Sequence, residues 1–313
     1  MHWLVPSNHS HPPIWRLGKS RNGHAHEGIV ATSTETYAAP NPSQPRIDLI
    51  LWGECKFAEF QWTLGKVYSG GGDSASMNQS LRAAADNADV EGVLCWCADQ
   101  RPPLEESVLR AWRRPGDVWH AGLRLGMGGL PASIDFVHPT WTLNRDPDAH
   151  LEATSWRVSL RACLLRCDVI RKLGALDERF ASLDAAALDF GHRCLTAGAF
   201  TRHLPWLVDD NARAPSPYIA ADDAFLFILN RFGAKWTRWA LLRASLTGEL
   251  SPVAAVRLYR RLRGIRSQAQ PGALHVPENS AHLRRPDDAR VSVIVPTVDR
   301  YPYLRAVSYT HLT

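Results

Sequence analysis

Lysine is scarce in this chain. Only Lys19, Lys56, Lys66, Lys172 and Lys235 occur, against 36 lysines and arginines together, so the formal charge of +5 is carried by arginine. Guanidinium forks match phosphate oxygens in pairs, but the arginines here are scattered, with the densest run at Arg257, Arg260, Arg261, Arg263 and Arg266. A solvated helix face accounts for that run, and no nucleic-acid partner is expected. Apolar runs of the roughly 20 residues needed to cross a bilayer are also missing. So is a basic-then-apolar leader at the amino terminus. The expectation is a cytoplasmic protein without a transmembrane segment. Zinc-type cysteine spacing is absent too. The six cysteines contain no Cys-x-x-Cys pair, and Cys95 and Cys97, two apart in an apolar run, share one strand face and do not bridge. Buried, reduced thiols are expected.

What is present is the composition of a globular protein, 45% hydrophobic and 21% charged, with 313 residues to build one large domain or two ordinary ones. Residues 1–45 are rich in proline, histidine and small polar residues and show no periodicity, which reads as a flexible arm. His9, His11, His24 and His26 in that arm read as solvated side chains. Order is expected from the apolar run 47–52, a buried strand closed by Gly53. The Gly70-Gly71-Gly72-Asp73-Ser74 turn then leads into a helix over 77–88, with Ser74 or Ser76 as its cap. A strand over 90–97 follows. Strand, turn, helix and strand in this order imply a βαβ unit and a parallel sheet.

Further along, the pattern predicts a helix over 104–112, a strand over 118–125, a loop over 126–131, a strand over 156–165 and a short helix over 169–173. A helix over 185–197 ends at Gly198, and 200–208 is extended. Residues 220–246 carry apolar side chains at helical spacing, with Gly233 as a break. Trp236 and Trp239 beside Arg238 and Arg243 suit either a membrane-surface face or packing against the preceding domain. A basic amphipathic helix over 252–266 and a linker over 267–290 follow. The domain reading is 1–45 arm, 46–215 main domain, 216–266 helical extension, 267–290 linker and 291–313 the start of a second domain.

Leu173-Gly174-Ala175-Leu176-Asp177-Glu178-Arg179-Phe180, followed by Leu188-Asp189 and Arg193, resembles the acceptor side of family 2 glycosyltransferases. Val291-Ser292-Val293-Ile294-Val295-Pro296-Thr297-Val298-Asp299-Arg300 resembles the opening strand and nucleotide loop of another such domain, with Val298 and Asp299 where Tyr and Asn are usual. The resemblance covers about residues 46–210 and 291–305. It implies a GT-A type, Rossmann-related α/β fold with a mostly parallel sheet flanked by helices. A nucleotide sugar, most simply a UDP-sugar, would lie beyond the carboxyl ends of the strands. The activity implied is transfer of that sugar to a glycan or polysaccharide acceptor.

In this family a divalent metal, Mg²⁺ or Mn²⁺, is held by an Asp-x-Asp pattern at a strand end and neutralises the diphosphate as the sugar bond breaks. Here Asp99 follows the 93–97 strand, but Cys97 and Arg101 stand where its companion acid belongs. Asp99 is thus the candidate metal residue, Arg101 a candidate diphosphate partner, and a plain strand-end turn at Pro102-Pro103 the alternative. Asn78 to Ala84 resembles the family's Asn-x-Gly-x-x-x-Ala segment, with Ser80 in the glycine place, which makes Asn78 a nucleotide neighbour. Pro296, Thr297, Asp299 and Arg300 belong to the second nucleotide loop. Asp177 and Glu178 shape the acceptor wall, and Trp156 offers a sugar-stacking face or a core side chain.

The general base of the family sits in a Glu-Asp-x-Asp pattern. Aligned on Asp189 and Arg193, that pattern places Ala186 and Ala187 at the two acids. Asp184 and Asp189 remain as candidate catalytic carboxylates, although Asp189 also suits an i, i+4 pair with Arg193. His192 and His203 are candidate bases by type alone. The expectation is sugar transfer that is weak or lost. The alternative is a non-catalytic glycan-binding or docking module of a tandem glycosyltransferase. After Arg305 the β-branched tail 306–313 reads as a truncation.

Overall fold

The computed structural model describes residues 44–54, 61–121, 130–137, 152–208, 219–266 and 272–274. Within these, seven strands form one sheet. They are β1 (Ile47–Trp52), β2 (Val67–Gly70), β3 (Gly92–Cys97), β4 (Val118–Ala121), β5 (Ala153–Thr154), β6 (Ala162–Arg166) and β7 (Thr201–His203), in the order β2-β1-β3-β6-β4-β7-β5. β1 pairs in parallel with β2 and β3, and β4 with β7. β6 is antiparallel to both β3 and β4, and β5 to β7. Five strands therefore run one way, giving the mostly parallel sheet that the sequence implies. β1 and β3 lie inside the sheet with both faces covered, which explains their near-continuous apolar runs.

The helices are α1 (Ser74–Ala85), α2 (Glu105–Trp112), α3 (Ala132–Val137), α4 (Cys167–Leu173), α5 (Leu183–Thr196), α6 (Ala221–Leu246) and α7 (Pro252–Leu262). One face of the sheet, through Ile50, Val93, Cys95, Val118 and Cys163, shares one core with α1, α3, α4, α5, α6 and α7. The other face, through Leu49, Leu94, Trp96, Trp119 and Leu164, packs on α2, on Trp62 and Leu64, and on the 3-10 turn Pro205–Leu207.

Several boundaries differ from the sequence reading. α1 starts at Ser74 because Asp73 is its cap: the Asp73 carboxylate accepts from the backbone N–H of Ala75 and Ser76. The expected 156–165 strand is confined to Ala162–Arg166 and runs antiparallel. Trp156 instead turns toward the helices, where its ring stacks on Phe227 at 6.0 Å. The extended 200–208 segment is a three-residue strand stopped by Pro205, which opens the 3-10 turn. β2, β5 and α3 have no counterpart in the reading, and residues 122–129 lie outside the described ones. Gly233 does break α6: its φ of 82° interrupts the helix between 221–232 and 234–246.

The close approach of α5 to the 156–158 segment rests on one residue. A Cβ on Gly191 would lie 2.1 Å from the carbonyl oxygen of Trp156. No side chain larger than hydrogen fits there without moving backbone.

Candidate functional site

β1, β2, β3, β4 and β7 end at Trp52, Gly70, Cys97, Ala121 and His203, so these residues line one edge of the sheet. α1 leaves that edge directly after β2. α5 leads into the start of β7, which puts its amino terminus near the same edge. Between α4 and α5 lies the Gly-Ala-Leu-Asp-Glu-Arg-Phe box, and the structure docks it on the first turns of α1. The Ser74 hydroxyl donates to the Phe180 carbonyl, and the Asn78 side-chain amide donates to the Glu178 carboxylate. Arg82 stands 4.0 Å from the same carboxylate. The nucleotide-side candidate Asn78 and the acceptor-side candidate Glu178 are thus in contact. Asn78 is fully buried, and its Oδ1 has no hydrogen-bond partner among the described residues.

Asp177, the other acid of the box, is buried and spent on architecture. It accepts from the Arg179 guanidinium and backbone N–H and from the Asn230 amide on α6. Burial pushes its carboxyl up, but the Arg179 hydrogen bonds and charge, with Asn230, hold it below the usual carboxylate value. The box is tied from below as well. Arg193 on α5 donates to the carbonyls of Leu173, Gly174 and Ala175, closing the end of α4 where Gly174 takes a φ of 76°.

Asp189 is fully buried beneath this loop. Its Oδ1 accepts from Arg231 Nε at 2.7 Å, and its Oδ2 accepts from Arg231 Nη2 at 2.8 Å and Arg193 Nε at 3.3 Å. Both oxygens are engaged by guanidinium groups. Ala186 and Ala187 are buried in the same helix. Asp184, in the first turn of α5, is half-buried.

Asp99 sits just past the tip of β3. Arg161 approaches it from the segment entering β6, with Nη2 at 2.9 Å from Oδ1 and 3.1 Å from Oδ2. Further bonds fasten this corner: Trp52 Nε1 donates to the Leu160 carbonyl and Trp96 Nε1 to the Arg101 carbonyl. The Arg101 side chain is exposed. Arg161 keeps its Nε and Nη1 donors without a hydrogen bond among the described residues. A partly buried guanidinium oriented by a carboxylate, with two donors left over, is suited to a phosphate oxygen.

This donor set does not fit a divalent metal. Asp99 is clasped by Arg161, and among the described residues no group of three His, Cys, Asp or Glu side chains can hold an ion.

Trp156 lies in an aromatic cluster with His192, Phe227 and Phe232. His203 is buried on β7 opposite His120, ring centroids 5.6 Å apart. Burial first, and His203 second, hold His120 down to about 3, so it is neutral. Pro296, Thr297, Asp299 and Arg300 lie outside the described residues.

Arg161 and Arg231 escaped the sequence reading. Arg161 gains meaning only once β6 is known to run antiparallel beside β3, and Arg231 only once α6 is known to cross α5. No local motif marks either.

No family model matches the chain, and no curated protein matches it. Solved structures that resemble it include the catalytic domain of Drosophila beta1,4-galactosyltransferase 7, in complex with xylobiose. The identity is 11%, over 56% of this chain and 71% of that one, with a TM-score of 0.34. A second is the mannosyltransferase PcManGT from Pyrobaculum calidifontis, in complex with GDP-Man and Mn²⁺. Its identity is 12%, over 72% of this chain and 84% of that one, with a TM-score of 0.32. Both are remote likenesses.

Proposed function

We propose that the strand-tip edge binds the diphosphate of a nucleotide sugar, and that the chain is a glycosyltransferase of the family 2 kind whose transfer to a glycan acceptor is weak. The observation that carries this reading is the arrangement of one edge. Asp99 with Arg161 stands beyond β3, and the Asp177–Phe180 box is bonded to α1 through Asn78 and Glu178. Donor-side and acceptor-side candidates of the resembled family thus lie on the edge where open α/β sheets bind ligands.

In this reading the donor is held by cationic side chains of the chain itself. Arg161, aimed by Asp99, meets the diphosphate oxygens, and Arg101 reaches them from the solvent side. Glu178 faces the acceptor. Transfer needs a carboxylate to take the acceptor hydroxyl proton. Asp189 has both oxygens engaged by arginine, so Asp184 is the remaining carboxylate on α5 for that step. An unaligned base and a donor site lacking paired acids together account for weak transfer.

The same two deficits favour a second reading, a module that holds the glycan or docks an active partner without chemistry. The two separate in one experiment. The full chain is titrated with UDP-sugars and GDP-sugars, with thermal shift reporting binding and acceptor turnover measured in parallel. Stabilisation by a nucleotide sugar, lost in Arg161→Ala, supports the donor site. Stabilisation by oligosaccharide alone leaves the glycan-holding module.

A further inference from the structure

The second half of α6 presents an exposed apolar face. Thr237, Ala240, Leu241 and Ala244 point into the core, whereas Trp236, Trp239, Leu242 and Leu246 are 46%, 55%, 50% and 78% exposed. At 100° per residue Trp239, Leu242 and Leu246 lie on the side of the helix opposite the buried one, and Trp236 flanks it. Isolated exposed apolar residues are ordinary, but two tryptophans and two leucines within three turns are an apolar patch. Lys235 and Arg238 lie on the same exposed side. α7 packs against α6 through Ala255, Leu258 and Leu262 and turns Val253, Val256, Arg257 and Arg260 outward.

Charge identifies the occupant. Residues 234–266 carry eight basic side chains and one acid, Glu249. That acid is engaged, accepting from the Ser133 N–H and standing 3.9 Å from Arg243. A second copy of this chain would bring like charge against like charge. A nucleic acid would answer the arginines but leave Leu242 and Leu246 without a role. A bilayer with anionic headgroups answers both features. Indole rings settle at the headgroup level with their apolar bodies toward the acyl chains, and each nearby Lys or Arg adds electrostatic attraction.

We propose that this face of α6, with the basic outer side of α7, rests on an anionic lipid surface as an interfacial helix pair, spanning nothing. The inference is independent of the glycosyl-transfer reading.

The test is sedimentation of the full chain with vesicles of phosphatidylcholine alone and with phosphatidylglycerol added. The chain is expected to pellet with the anionic vesicles only, and less as salt is raised, because surface attraction is screened. Trp236→Ser with Trp239→Ser should weaken partitioning about tenfold or more, a loss of roughly 1.4 kcal/mol. Leu242→Gln with Leu246→Gln repeats the test should the tryptophan variant melt early. Arg238→Gln with Arg260→Gln should weaken binding to anionic vesicles. No pelleting, equal pelleting with neutral vesicles, or binding indifferent to both apolar variants overturns the proposal. So does tight duplex-DNA binding without vesicle binding.

Discussion

Arg231 and Asp189 meet in the core, Nε to Oδ1 at 2.7 Å, joining α6 to α5 with no solvent between them. Arg193 completes the cluster and passes the tie on to the carbonyls that close the Asp-Glu-Arg-Phe box. Removing one partner of such a cluster leaves a buried charge uncompensated. We predict that Asp189→Ala lowers unfolding free energy by about 3–5 kcal/mol, read by chemical denaturation. Asp184→Asn, at the half-buried first turn, should cost under about 0.5 kcal/mol while cutting any residual transfer by roughly 10²-fold or more. If Asp189→Ala is as stable as wild type, the architectural role assigned to Asp189 is wrong.

Gly191 gives a second stability test. Its missing side chain lets α5 lie against the Trp156 carbonyl. Gly191→Ala raises helix propensity yet forces backbone apart, and overpacking of this kind costs about 1–3 kcal/mol. The expected result is a lower Tm. A raised Tm would mean that α5 and the 156–158 segment are not in contact.

His120 sets a pH dependence. Its folded value of about 3 is below the ordinary 6.5, so the unfolded chain takes up a proton that the folded chain refuses. The contribution of this group is fully present above about 6.5 and is lost as pH falls from there toward 3. The slope is about 1.4 kcal/mol per pH unit for one such proton. His120→Asn should be less stable at pH 7 and show a flatter loss between pH 6.5 and 4.5. Parallel curves for the two proteins would contradict a buried neutral imidazole.

The clasp at the strand tips predicts how the donor site responds to substitution. Arg161→Ala should abolish nucleotide-sugar stabilisation. Asp99→Asn, which keeps a hydrogen-bond acceptor but removes the charge that orients Arg161, should weaken it about tenfold or less. Since Asp99 is engaged by Arg161, added Mn²⁺ should change the thermal shift little. Stabilisation that requires Mn²⁺ and is lost equally in both variants would return Asp99 to the role of a metal-binding acid.

The parallel half of the sheet was legible in the sequence because β1 and β3 are continuous apolar runs bounded by turns. Gly233 was legible as a break because glycine weakens a helix wherever it falls. The direction of β6 was not, since a buried apolar strand looks the same whichever way it runs. That one reversal places Arg161 against Asp99. The cap of α1 fell at Asp73, ahead of both Ser74 and Ser76, because aspartate and serine compete for the same N–H groups, and Asp73 reaches two of them. For the motif centred on Asp189, local spacing revealed Arg193 one helical turn away but not Arg231, 42 residues on. The carboxylate therefore read as a candidate base with one arginine partner, when a second partner was simply distant in sequence.

The most direct measurement is the titration of the full chain with nucleotide sugars, comparing wild type with Arg161→Ala and recording turnover on the same samples. The account predicts a Tm rise with a UDP- or GDP-sugar, its loss in the variant, and transfer far below the roughly 1–10³ s⁻¹ of ordinary enzymes. No Tm rise with any nucleotide sugar, or a rise unchanged by Arg161→Ala, would contradict it.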